Sequence, residues 1–151
     1  MIERILYLKP VDAKQVIELG KEFYGLTGLR GEFHGDTFVT FWNAFMAHGQ
    51  SAMWVFRSES VIVGAIGVNL TMSLFDGKVI ADEAFWFVDP KHRGTAGVRL
   101  FFEMAKWAKE HGARRILMGK MLSIDPENDK VGQFYERQGL KPLQTQYYVD
   151  I

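Results

Sequence analysis

Apolar positions along this chain follow two periods, and the period changes mark its elements. Met1 to Leu8 is rich in Ile and Leu and reads as a first strand, stopped by Pro10. Asp12 is placed as an N-cap, and Val16, Ile17, Leu19, Phe23 and Tyr24 follow at helical spacing. Gly25, Gly28, Gly31 and Gly35 punctuate a loop expected to be mobile, before Asp36 caps a second helix bearing Phe38, Phe41, Trp42 and Phe45. From Ser51 the period is that of strands. Ala52 to Arg57, Val61 to Leu70 and Val79 to Val88 are β-branched and aromatic, and polar turns at Ser58-Glu59-Ser60 and Asp76-Gly77-Lys78 separate them. Such a run predicts an antiparallel meander. After Gly94 a long helix carries Val98, Phe101, Phe102, Ala105, Trp107 and Ala108 and ends at Gly112. Ile116 to Leu122 is a further strand. Pro126, Glu127 and Asn128 open a short helix with Val131, Phe134 and Tyr135, stopped by Gly139, and Leu140 to Val149 is expected to supply a final pair of strands.

This order predicts an α+β, or mixed α/β, fold in one domain over residues 1–151. A single central, mostly antiparallel sheet of about six to seven strands would carry helices on both faces. Composition agrees: 151 residues, 48% hydrophobic and 24% charged, fill one ordinary core. Formal net charge is zero, from 18 basic and 18 acidic residues, so no overall field draws the chain to nucleic acid or an anionic membrane. No Cys is present, which removes disulfides, zinc–thiolate sites and Cys nucleophiles. His34, His48, His92 and His111 are spaced too widely to predict a metal site. Met1-Ile2-Glu3-Arg4 carries an early acid and no long apolar core, and no apolar run approaches membrane-spanning length. The expected location is the cytoplasm.

The junction from Phe85 to Gly97 is the chemically informative segment. A buried strand runs through Val88-Asp89-Pro90-Lys91-His92-Arg93 into Gly94-Thr95-Ala96-Gly97, which open the long helix. Amides at a helix start lack intrahelical partners, and the helix dipole adds positive charge there. Small residues let an anion approach them, and Lys91 and Arg93 add charge. The same pattern also suits a plain strand–helix connection. Neither G-x-G-x-x-G nor G-K-[ST] occurs, so dinucleotide and Walker-type loops do not fit.

Val88-Asp-Pro-Lys-His-Arg-Gly-Thr-Ala-Gly97, with the helix after it, resembles the acetyl-CoA-binding motif of the GNAT N-acetyltransferase superfamily, R/Q-x-x-G-x-G/A. The pattern fits literally only as Lys91-x-x-Gly94-x-Ala96. Downstream, Asn128 lies seven residues before Tyr135, and Phe134-Tyr-Glu-Arg-Gln-Gly-Leu140 is similar to the family's F-Y-E-x-x-G-F block. The element order matches over nearly the whole chain.

This resemblance implies an N-acetyltransferase that moves an acetyl group from acetyl-CoA to a primary amine by direct attack in a ternary complex. The alternative on the same fold is an acyl-CoA-binding or protein-interaction module without turnover. It also implies that the backbone of Trp86, Phe87 and Val88 pairs with the pantetheine arm, that Arg93, Gly94, Thr95, Ala96 and Gly97 cradle the pyrophosphate, and that Asn128 contacts the cofactor. Tyr135 would protonate the departing thiolate and contact the cofactor. The base is expected at Glu83. Asp82 and Glu83 sit in an otherwise apolar strand, where adjacent side chains point to opposite faces and desolvation raises a carboxylate's pKa. Of the two, Glu83 has the longer reach. The stripe Phe38, Phe41, Trp42, Phe45 is read as core, with an apolar or aromatic acceptor following if part of it lines the cleft. Members of the family often form homodimers through the terminal strands, and Tyr147-Tyr148-Val149 would give such an edge, or else an ordinary internal strand pair.

Overall fold

The computed structural model describes residues 1–124 and 126–151. They form two compact units, Met1–Gly119 and Lys120–Ile151.

In the first unit the strands are β1 (Ile2–Ile5), β2 (Ser51–Ser58), β3 (Val61–Met72), β4 (Val79–Val88) and β5 (Arg115–Leu117). They lie side by side in chain order. β1 to β4 are antiparallel neighbours, and β5 runs parallel to β4. The helices are α1 (Pro10–Leu26), α2 (Gly35–Ala47) and α3 (Thr95–Glu110).

The period of two in the strands decides which helix covers which face. Met53 and Val55 pair with Gly67 and Ala65, which pair with Phe85 and Phe87. That row is buried with Ala13, Val16 and Leu19 of α1 and Trp42 of α2. The intervening row, Trp54, Ile66 and Trp86, faces α3. Trp107 packs on Trp54 with ring centroids 5.7 Å apart, and Phe101 lies 6.4 Å from Trp86. Helices therefore cover both faces of one mostly antiparallel sheet.

The sheet has five strands among the described residues, not six or seven. β5 stops at Leu117 rather than Leu122. Two residues on, the Gly119 amide donates to the Glu83 carboxylate, 2.9 Å away. Residues 140–151 contain no strand. Pro142 lacks a ladder donor, and Leu143, Tyr147, Tyr148 and Val149 are exposed, so no buried face holds the tail extended. The terminal strand pair is thus absent from this structure. Pro10, expected as a stop, instead opens α1, a position where a missing N–H does no harm. Asp12 is not the cap. It sits in the first turn of α1 and holds Arg57 at 3.0 Å, while Glu3 holds the same guanidinium at 2.8 Å. Asp36 likewise lies in the first turn of α2, with His34 at the N-cap.

In the second unit the helix is α4 (Lys130–Arg137). It starts later than expected because Asp129 caps it, accepting from the Gly132 amide at 3.2 Å. Lys120 donates to the same carboxylate oxygen at 2.9 Å.

Candidate active site

Among the described residues, strand pairing leaves one edge of β4 open past its midpoint. β5 pairs with β4 only over Ile80, Ala81 and Asp82. From Glu83 to Val88 the strand runs beyond that ladder. Its other edge stays paired with β3, down to Val88 opposite Gly64. Ala84 is bulged: Gly67 opposes Phe85, and the next residue, Val68, opposes Glu83. A bulge shifts the facing of whatever precedes it. Glu83 thereby takes the ladder parity of Trp86 instead of Phe85, and Asp82, opposite Asn69, takes that of Phe85.

Glu83 is half-buried, and burial pushes its carboxyl up to about 7. The Gly119 amide opposes that rise by hydrogen bonding to the carboxylate, and the charge of Asp82 adds to it. Asp82 is exposed but also shifted upward by desolvation. A carboxyl that titrates near neutral pH is suited to accept a proton. Gly119 was not foreseen from the sequence. A glycine after an apolar run carries no sign that its amide will hold an acid 36 residues upstream.

The side chains of Trp86 and Phe87 are packing groups. Phe87 lies 4.6 Å from Phe23 and 4.7 Å from Phe85, ring centre to ring centre. Trp86 lies under α3, where a Cβ on Gly97 would come within 3.3 Å of the indole. Only the backbone of these residues can serve a ligand along the open edge. Gly97 is therefore small because the helix crosses Trp86 closely. Ala96 is buried too, with 2% exposure.

The loop after β4 is a short 3-10 turn, Pro90–His92, capped by Asp89, which accepts from the Lys91 amide at 2.8 Å. Arg93 turns back: its Nε donates to the Val88 carbonyl at 3.4 Å. Gly94 is the N-cap of α3 with φ +91°, a region that favours glycine, and no atom lies within 4 Å of where its Cβ would stand. The first helical bond runs from the Val98 amide to the Gly94 carbonyl, 2.9 Å. The amides of Thr95, Ala96 and Gly97 precede it, and among the described residues no side-chain cap bond is made there. The helix start thus has the open amides and the missing side chain that an anion needs.

Glu83, Trp86, Phe87, Val88 and Arg93 to Gly97 are joined in one strand–turn–helix of the first unit. Asn128 and Tyr135 belong to the second. Asn128 precedes the cap of α4, and its carbonyl accepts from Gln133 Nε2 at 3.1 Å. Tyr135 is half-buried on α4 beside Phe134, ring centroids 6.1 Å apart. Of the Phe-rich stripe, Trp42 is buried and Phe38 packs on the core, whereas Phe41 and Phe45 are 55% and 44% exposed. His111 closes α3, stacked on Trp107 at 4.3 Å, and His48 closes α2. His34, at the N-cap of α2, makes no side-chain cap bond. Among the described residues no helix is long and apolar enough to cross a membrane.

This architecture is shared. A Trypanosoma brucei acetyltransferase is 18% identical with a TM-score of 0.71, and 100% of each chain is covered. A predicted acetyltransferase of Clostridium acetobutylicum, solved with acetyl-CoA, is 13% identical with a TM-score of 0.74, over 99% of this chain and 96% of that one. A ribosomal-protein-alanine N-acetyltransferase of Brucella melitensis is 15% identical with a TM-score of 0.68, over 100% of this chain and 97% of that one. At such identities the likeness is one of fold. No curated protein matches the sequence. The sequence profile of the acetyltransferase (GNAT) family matches residues 14–140, spanning both the strand–turn–helix of the candidate site and α4, and the chain belongs to that family.

Proposed function

We propose that this chain is an N-acetyltransferase that takes an acetyl group from acetyl-CoA to a primary amine by direct attack in a ternary complex. Residues 1–151 would act as one catalytic domain, a reading supported by the family match running across both units. The observation that carries the proposal is Glu83, a carboxyl poised near neutral pH where β4 loses its β5 partner, upstream of an open helix start.

The residues fit acetyl-CoA. The amides of Thr95, Ala96 and Gly97, with the vacant side-chain position of Gly94, would hold the pyrophosphate, and Arg93 would add charge. The backbone of Trp86, Phe87 and Val88 would hold the pantetheine arm along the open edge. Asn128 and Tyr135 are assigned to the same cofactor. When bound, acetyl-CoA supplies an acetyl group activated as a thioester.

Amines arrive mostly as ammonium ions. Glu83, as carboxylate, takes the proton and leaves a free electron pair on nitrogen. The nitrogen bonds to the acetyl carbon as the carbon–sulfur bond breaks. Tyr135 holds a phenolic proton for the sulfur. The products are an amide and the free thiol: the sulfur takes the Tyr135 proton, the second proton that the nitrogen sheds on becoming an amide restores the Tyr135 hydroxyl by way of solvent, and the proton gained at Glu83 returns to solvent.

The direct test measures amine-dependent thiol release from acetyl-CoA by wild type, Glu83→Gln and Tyr135→Phe across a panel of primary amines. Release with some amine, reduced about 100-fold or more by Glu83→Gln, is expected. CoA binding with no amine-dependent release anywhere in the panel would instead establish the non-catalytic module.

A further inference from the structure

Leu74 and Phe75 are the most exposed apolar side chains of the first unit, at 98% and 102% of full exposure. They stand at the end of the β3–β4 hairpin, beyond Met72 and Val79, the last pair of its ladder. Met72 is exposed as well. Turns are ordinarily built from small and polar residues. Three exposed apolar side chains within four residues form a patch, whereas single ones are commonplace on a surface.

The tip is ordered. The Ser73 amide donates to the Lys78 carbonyl at 2.9 Å, and the Gly77 amide to the Ser73 carbonyl at 2.9 Å. Ser73 is buried, and its Oγ accepts from the amides of Phe75 and Asp76 at 3.4 Å each. Asp76 Oδ1 accepts from the Lys78 amide at 3.2 Å. With the backbone held in this way, the tip has little order left to lose on binding.

The chain is neutral overall, but this end is not. Asp76 is the only acid between Asn69 and Asp82. Lys78 and Arg115 both face it, at 3.7 and 3.5 Å. The Arg114 amide donates to the Val79 carbonyl at 2.8 Å, which sets a third cationic residue at the base of the hairpin. Three cations against one acid leave the rim of the tip positive. An apolar point inside a basic rim complements an anionic bilayer: the apolar groups enter the boundary of headgroups and acyl chains, while Lys and Arg reach the headgroups and keep their contact with water. The tip is a projection, and a fluid bilayer closes round a projection with no preformed pocket. An acidic protein would need a pocket of matching shape.

We propose that the β3–β4 hairpin tip is a peripheral membrane anchor, in which Leu74 and Phe75 insert into an anionic phospholipid surface and Lys78, Arg114 and Arg115 contact its headgroups. The tip adjoins the Val79 end of β4, and the loop to α3 follows the Val88 end, roughly 30 Å along the strand. The anchor therefore leaves the helix start of α3 clear of the lipid, and it does not depend on acetyl transfer.

Flotation of the full chain with vesicles of equimolar phosphatidylcholine and phosphatidylserine, beside vesicles of phosphatidylcholine alone, tests the anchor. Wild type should bind the anionic vesicles about tenfold or more better than the neutral ones, and added salt should weaken that binding. Leu74→Ser combined with Phe75→Ser should lose about tenfold or more with an unchanged melting temperature, since both side chains are exposed. Lys78→Gln should lose about fivefold. Phe75→Trp reads insertion directly, as quenching of its added fluorescence by brominated acyl chains. No vesicle binding, equal binding to both vesicle types, binding that survives the double serine variant, or an unquenched Trp at position 75 overturns the proposal. A concentration-dependent dimer abolished by the same double variant also overturns it and gives the tip to a second copy of the chain.

Discussion

At Glu83 the environment sets both chemistry and stability. A carboxyl raised from its ordinary 4.5 to about 7 binds more protons in the folded than in the unfolded chain between those values. Stability therefore falls as pH rises from about 4.5 to about 7 and is flat above that. The penalty is about 1–3 kcal/mol, given that the side chain keeps some contact with water. Glu83→Gln removes the charge and can still accept from Gly119. Thermal unfolding should show the variant more stable than wild type at pH 8 and indistinguishable from it below about pH 4. Equal melting at pH 8 would mean that Glu83 is not desolvated. The pair Asp82-Glu83 was legible as two acids in an apolar strand. Which of the two shares the ladder parity of Phe85 was not, because the Ala84 bulge leaves no mark in a sequence of alternating and continuous apolar residues.

The elements whose sequence pattern matches their burial were the most legible. β2, β3 and β4 and the body of α3 fall within a few residues of expectation, since each buries the side chains that define its period. Elements fixed by single contacts were less so. Asp129, not Pro126, opens α4, because its carboxylate is shared between the Gly132 amide and Lys120. The tail lacks any burial to hold it as strands. Gly97 shows that the smallness read from the sequence as room for an anion also has a packing use. Its smallness serves the crossing of α3 over Trp86, while the amides beside it remain available. Gly97→Leu should force the helix off Trp86 and destabilise the fold by about 1–3 kcal/mol. Gly94→Ala, in open space but at φ +91°, should cost about 1–2 kcal/mol from backbone strain. Denaturant unfolding of both variants measures this. A neutral Gly97→Leu would contradict the close packing.

Over the whole molecule, the class of fold was legible because it follows from order: one helix pair, a three-strand meander, then a strand–loop–helix. The family profile covers both compact units, from residue 14 to residue 140. If residues 1–151 work as one domain, calorimetric unfolding should be a single transition with equal calorimetric and van't Hoff enthalpies. Two resolved transitions would instead assign α4, Asn128 and Tyr135 to a separately folding segment.

The claim on which the mechanism turns is that Glu83 takes the amine's proton. The pH dependence of kcat/KM for an acetylated amine, in wild type and Glu83→Gln, tests it most directly. Wild type should show activity rising with pH through an apparent pKa of about 7, where the carboxyl ionises. Glu83→Gln should lack that limb and run about 100-fold slower or worse at pH 8. A variant that keeps both the limb and the rate would contradict the assignment of Glu83 as the base.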